Sequence, residues 1–187
     1  VASIAERLAE VLDIEDPRTL RDLKWGAYLH DIGKIGVPDA ILRKSGPLTN
    51  EEYQLIKTHP ELGSRILLGI PFLRGVVQVV HHHHERYDGG GYPHGLAGED
   101  IPLLARIFAV ADTVDAMTSD RPYRSSMSWG KVREELVTES GRQFDPVVVE
   151  AFLSVPDDGW SRIVASFGTY GTPLLVGPSL RFVSNSF

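Results

Sequence analysis

The sequence predicts an all-α fold: a bundle of about seven or more helices, one long glycine-rich loop, and a C-terminal tail that the pattern leaves unassigned. Three observations carry this. Apolar residues recur at three- and four-residue spacing through most of the first 154 positions. Prolines and capping residues stand where those segments begin. The composition changes after Pro156, where Gly, Ser and Thr gather with short β-prone runs such as Leu174-Leu175-Val176.

Each element has its own signal. Ile4, Ala5, Leu8, Val11 and Leu12 form an apolar stripe, with Glu6, Arg7 and Glu10 opposite, so residues 1–12 read as an amphipathic helix. Pro17 opens a second helix that runs to about His30, where Gly33 and Gly36 break the pattern. Thr49-Asn50-Glu51-Glu52 is a capping box that starts a helix running towards His59. Pro60 opens the next, with Leu62, Ile66 and Leu67 on one face. Residues 72–84 read as a largely apolar helix ending in histidines, and 87–102 as a loop rich in Gly with two Pro. Residues 105–118 form a strongly apolar helix, Ser128 caps another to about Ser140, and Pro146 starts a short one to Leu153. The domain is therefore expected over 1–154, with 155–187 as an extension of unknown structure. No internal repeat is present.

Composition narrows the chemistry. Of 187 residues, 42% are hydrophobic, which suits a folded core. The net charge of -6 argues against a nucleic-acid polymer as partner and leaves room for a small phosphorylated ligand. Cysteine is absent, so any metal must be held by His and carboxylates. No apolar run approaches the ~20 residues of a membrane span, and no signal peptide is visible; a cytoplasmic location is expected. The chain opens in mid-helix pattern, so it reads as a piece of a longer protein.

The chemistry-bearing residues lie at helix ends or on apolar faces. His30 and Asp31 stand where one helix ends, His59 at the end of another, His83 and His84 at the end of a third. Asp112 lies within a fourth, between Val110, Ala111 and Val114. Mixed imidazole and carboxylate donors suit iron, manganese, zinc or nickel better than calcium or magnesium. A carboxylate can bridge two ions, and two ions can clamp the attacking and leaving oxygens of a phosphoester. A single His at a helix end is more often a cap or a surface residue. A carboxylate on a helix as apolar as that of Asp112 costs several kcal/mol unless it is paired or metal-bound. Asp115, one turn on, reads as a structural neighbour; His81 and His82 read as helix-surface residues, and His94 as a solvent-exposed loop residue.

His30-Asp31-Ile32-Gly33-Lys34 resembles the signature of the HD superfamily of metal-dependent phosphohydrolases. The run from His83 through Tyr92-Pro93 resembles the defining segment of its HD-GYP subgroup. Residues 57–60, 110–116, 118–124 and 143–146 are similar to further family segments, in the same order, so the resemblance covers about residues 1–154. It implies a helical bundle around two or three divalent metal ions, iron or manganese favoured, and hydrolysis of cyclic di-GMP to the linear dinucleotide pGpG and in some members on to GMP. Carried over by position, His30, Asp31, His59, His83, His84 and Asp112 are expected as metal ligands, with Asp31 as the bridge. Lys34 is expected beside the metals, touching the scissile phosphate, which a metal-bound hydroxide would attack. Gly91, Tyr92 and Pro93 are expected over the ligand, and Arg121 and Arg124 resemble residues that meet its phosphates or guanines; for Arg124 a solvated turn is an equal reading. Arg86 is expected as a salt-bridge partner and Asp88 as the residue that holds the loop.

The family begins with a helix that carries a further His ligand, in some members an earlier Glu. Residues 1–8 resemble the continuation just past that His, which is expected upstream of this chain. Two other functions stand beside the phosphodiesterase. One is a catalytically impaired sensor or scaffold that binds nucleotide or a partner protein; the other is a hydrolase of a different phosphoester, against which the Gly-Tyr-Pro loop argues. Such domains commonly follow a receiver or sensory domain, and a homodimer is compatible with the sequence.

Overall fold

The structure is a computed structural model and describes residues 1–120 and 125–165. Arg121, Arg124 and the tail beyond Ala165 lie outside the described residues. Among the described residues the regular structure is helical: α1 (Ala2–Val11), α2 (Pro17–Leu29), α3 (Asp39–Leu42), α4 (Asn50–Ile56), α5 (His59–Leu68), α6 (Val76–His82), α7 (Leu103–Thr118), α8 (Trp129–Thr138), α9 (Pro146–Ser154) and α10 (Asp157–Ala165). Strand-like pairing is limited to two isolated bridges, Asp88 with Ala97 and Ser140 with Phe144.

The helix starts follow from their caps. Asp16 accepts the Thr19 amide at 2.8 Å ahead of Pro17, and Asp145 accepts the Val147 amide at 2.8 Å ahead of Pro146. At α4 the bonds are reciprocal: the Glu52 amide donates to Thr49 Oγ1, and the Thr49 amide donates to Glu52 Oε2 at 2.7 Å.

The main core gathers α1, α2, α7, α8, α9 and α10. Ile4, Leu8, Leu23, Ile107, Phe108, Leu136, Phe152 and Trp160 are fully buried there. Each such side chain contributes about 1.5–3 kcal/mol by leaving water. Leu67, Leu73, Val76 and Val80 close a second cluster between α5 and α6, and Val37, Ile41 and Ile56 a third. Arg106 pairs with the buried Asp145 and also donates to the Ile101 carbonyl at 2.9 Å, tying α7 to the start of α9.

Two expectations change. The helix expected over 72–84 is split into a 3₁₀ turn at Pro71–Leu73 and α6, with Gly75 between them. A side chain at Gly75 would meet Asp22 Oδ2 at 1.8 Å, so only glycine fits where α2 comes this close. The body placed at 1–154 carries a further helix, α10. Trp160 stacks on Phe152 at 4.7 Å and donates its Nε1–H to the Phe152 carbonyl at 3.1 Å, so α10 belongs to the same core.

Candidate metal centre

Three imidazoles are set by the same local device. His30 follows α2, His59 follows α4, and His83 follows α6. The last carbonyls of a helix have no partner within it. His30 Nδ1 reaches the Ala27 carbonyl at 3.0 Å, His59 Nδ1 that of Ile56 at 2.7 Å, and His83 Nδ1 that of Val80 at 2.8 Å. A carbonyl only accepts, so each Nδ1 carries a proton, and in the neutral form of the ring Nε2 is left bare.

Those bare nitrogens converge. His59 Nε2 and His83 Nε2 are 3.1 Å apart, and donor atoms of His59, His83 and His84 lie within 4.8 Å of one another. Asp31 faces two rings with separate oxygens: Oδ1 is 3.5 Å from His59 Nε2 and Oδ2 is 3.4 Å from His30 Nε2. Lys34 Nζ donates to Asp31 Oδ2 at 2.6 Å. Phe108 supports the group from α7, with its ring 4.9 Å from that of His30 and 5.9 Å from that of His83. Asp112 stands one turn further along α7.

Gly33 permits this convergence. A Cβ there would lie 1.9 Å from the His59 carbonyl oxygen and 2.5 Å from the Gly63 nitrogen, so only glycine lets the Asp31–Lys34 turn approach α5.

The charges match a cation site. Burial pushes His83 and His84 well below their ordinary value, and neighbouring imidazoles add to the effect; burial also lowers His59. Neutral imidazole is the ligating form. Burial opposes ionisation of Asp31, but His30 and then Lys34 outweigh it and hold the carboxyl below its ordinary value. Burial raises Asp112, His30 pulls the other way, and Asp31 and Asp115 add to the rise. The residues fit a metal centre on one observation above all: two Nε2 lone pairs, His59 and His83, face each other with no proton to share.

The glycine loop closes one side. Tyr92 is buried and stacks on His84 at 4.7 Å, while Lys57 Nζ lies 4.9 Å from the Tyr92 ring centre and 5.5 Å from that of Tyr53. Gly91 packs on the backbone of Glu85 and Arg86, where a Cβ would meet the Arg86 nitrogen at 2.3 Å. Asp88 accepts the Gly90 amide at 2.9 Å and the Arg86 guanidinium at 2.9 Å. Arg86 continues to Gln143 at 3.2 Å and Glu139 at 3.5 Å, bracing the loop on the end of α8.

Sequence reasoning missed Glu85. It is buried and accepts the amides of His94 at 2.9 Å and Leu96 at 3.1 Å, so it anchors the loop from inside. An acid placed directly before a loop full of unpaired amides was the available signal. The reading of His81 and His82 as plain surface residues is corrected: His81 bonds Ser64 and His94, and His82 Nδ1 is buried 3.9 Å from Glu85 Oε1. The packing of α6 on α5 puts Ser64 opposite His81, which one helix's pattern does not encode.

The profile of the HD domain family matches residues 1–148. The chain belongs to this family. It carries the subgroup's Gly-Tyr-Pro segment at residues 91–93. The cyclic di-GMP phosphodiesterase response regulator RpfG of Xanthomonas campestris pv. campestris is 43% identical over 155 residues, covering 82% of this chain and 41% of the relative. The cyclic di-GMP phosphodiesterase PA4108 of Pseudomonas aeruginosa is 46% identical over 154 residues, covering 82% and 37%. The HD domain chain thus spans about two fifths of the length of these relatives. A crystal structure of a cyclic GMP-AMP specific phosphodiesterase from V. cholerae shares the fold, with a TM-score of 0.67 at 22% identity, over 87% of this chain and 44% of that one.

Proposed function

We propose that this HD domain is a metal-dependent phosphodiesterase that hydrolyses cyclic di-GMP to pGpG, and to GMP where the second bond is also cut. The facing lone pairs of His59 and His83, 3.1 Å apart beside the Asp31 carboxylate, carry the reading. The two relatives named above as cyclic di-GMP phosphodiesterases support the substrate.

His59, His83 and His84 would hold one cation, His30 and Asp112 a second, and Asp31 would offer one oxygen to each. Iron or manganese suits this mixed set. When bound, such ions supply Lewis acidity and a water acidic enough to ionise at neutral pH. Lys34 Nζ bonds Asp31, and its ammonium would meet the charge that develops on the phosphate. Tyr92 and Lys57 shield the His84 side from water. Gly91 and Pro93 shape the loop over the ligand, and Arg121 and Arg124 would meet its phosphates or guanines. A further upstream His would complete the donor set.

A receiver or sensory domain is proposed before this one, in keeping with the name of one relative as a response regulator. Self-association as a homodimer and a cytoplasmic location are further parts of the proposal. Among the described residues no helix is long and apolar enough to cross a membrane.

The test is turnover by anaerobically purified full-length protein loaded with iron or manganese, with cyclic di-GMP and 3′3′-cyclic GMP-AMP offered together. Preferential release of pGpG supports the proposal. Preference for the mixed dinucleotide overturns the substrate. Full metal occupancy with no linear product leaves the sensor reading in its place.

A further inference from the structure

Outside the buried cluster, His81 and His94 form a second imidazole pair at the protein surface. Their Nε2 atoms are 2.7 Å apart and their ring centroids 4.9 Å apart, so the two rings meet nitrogen to nitrogen rather than face to face. The partner of His81 on its other side settles which of its nitrogens is bare. Ser64 Oγ donates its hydrogen to the Glu61 carbonyl at 2.8 Å. Its remaining capacity is as an acceptor, so the 2.8 Å contact with His81 Nδ1 takes the proton from the ring. His81 Nε2 is therefore a lone pair aimed at His94. Glu61 carbonyl, Ser64 hydroxyl and imidazole form the kind of relay that orients a ligating histidine and raises its basicity.

His94 approaches from the loop with its other nitrogen free to take up the displaced proton. Two imidazoles on one tetrahedral ion sit about 3.3 Å apart, given bonds of about 2.0–2.1 Å. The exposed His94 ring reaches that spacing and angle by swinging off the line that now joins the two nitrogens. His82 flanks the pair, its ring 4.7 Å from that of His81 and 5.8 Å from that of His94, and its Nδ1 is buried without a hydrogen-bond partner among the described residues.

The geometry points to a second divalent-cation site, made by His81 and His94 with water completing the coordination, that pins the Gly-Tyr-Pro loop to the end of α6. Two imidazole donors select zinc, nickel or copper over magnesium or calcium. A cation here spans the two ends of the loop-bearing segment. His81 lies two residues before His83 on the chain that carries the buried cluster, and His94 directly follows Pro93. The ion would thus hold Tyr92 on His84 without entering the buried centre.

Zinc binding by the folded protein tests this independently of any turnover. Equilibrium dialysis against Zn(II), followed by elemental analysis, should give one more equivalent per chain for the wild type than for His94→Asn. His94 is exposed, so unchanged circular dichroism melting is expected to accompany that loss. Ser64→Ala keeps both imidazoles but removes the relay, and should weaken the extra equivalent by about 10–100-fold. Zn(II) should also protect His94 from carbethoxylation, read by mass spectrometry. Equal zinc content in wild type and His94→Asn, or His94 modification indifferent to zinc, overturns the site. Neither result depends on whether cyclic di-GMP is the substrate.

Discussion

His59 Nε2 faces His83 Nε2 across 3.1 Å, and both rings have already given their Nδ1 protons to carbonyls three residues earlier. Without a cation, the natural relief is protonation, yet burial lowers both groups. His84 is lowered as well. The unfolded chain takes up protons near 6.5 while the folded chain refuses them. Stability of the metal-free domain is therefore fully present above that value and lost as pH falls below it. Each histidine contributes up to about 1.4 kcal/mol per pH unit in that range. Urea melts of the chelator-treated protein at pH 7.5, 6.5 and 5.5 should show midpoints falling most steeply over the last step. A flat profile would mean that the three rings are solvated.

Gly33 is the contact through which Asp31 reaches His59. A Cβ at 1.9 Å from the His59 carbonyl oxygen meets backbone, not a flexible side chain, so the turn has to move. Gly33→Ala should cost about 1–3 kcal/mol or somewhat more, as overpacking does. It should also lower the metal content of protein that remains folded. Gly46, where a Cβ would meet nothing within 4 Å, supplies the control: Gly46→Ala should change neither stability nor metal content. Denaturant titration and elemental analysis on the two variants decide the matter.

The helices were legible because their signals are local. Pro17, Pro146 and the Thr49–Glu52 box act within one turn, and the structure realises each of them. The need for glycine at 75 was not legible, because Asp22 on another helix leaves no room for a side chain there. Helix α10 escaped for a similar reason: Trp160 is ordered by Phe152 below it, while its own segment is rich in Asp, Gly and Ser. The donor residues could be listed from sequence, yet nothing in their separation along the chain encodes that His30, His59 and His83 meet. That expectation came from the family resemblance. What the structure adds is the shared cause, an unpaired helix-terminal carbonyl three residues before each ring. Glu85 and the His81–Ser64 contact were missed because loop amides and a facing helix define them.

Asp145 serves two ends at once, capping α9 and neutralising Arg106 in the core. Asp145→Ala removes the cap and strands a guanidinium that is largely shielded from water. Breaking one side of a buried pair costs about 3–5 kcal/mol. Asp145→Asn keeps an acceptor for the Val147 amide and should recover part of that loss. Chemical denaturation should rank the proteins wild type, Asn, Ala. Equal midpoints for Asn and Ala would show that the charge pair alone matters and the cap contributes nothing.

Lys34 separates charge stabilisation from metal binding. Its ammonium is 2.6 Å from Asp31 Oδ2, yet about a third of the side chain remains exposed, at 33%. A group that only neutralised Asp31 would be replaced in that task by bound cations. A group that meets the phosphate would not. Lys34→Met keeps the aliphatic stem and deletes the charge. Metal content should stay within error of the wild type, and, on the proposed function, affinity for cyclic di-GMP should fall only a few-fold, because the loop and the ions would still hold the ligand. The rate of the bound complex should drop by about 10²–10³-fold, the size seen when one preorganised donor to a developing anion is removed. Single-turnover kinetics with protein in excess isolates that rate from product release. Loss of metal together with rate would instead make Lys34 a support for Asp31, and an unchanged rate would leave the charge to the cations alone.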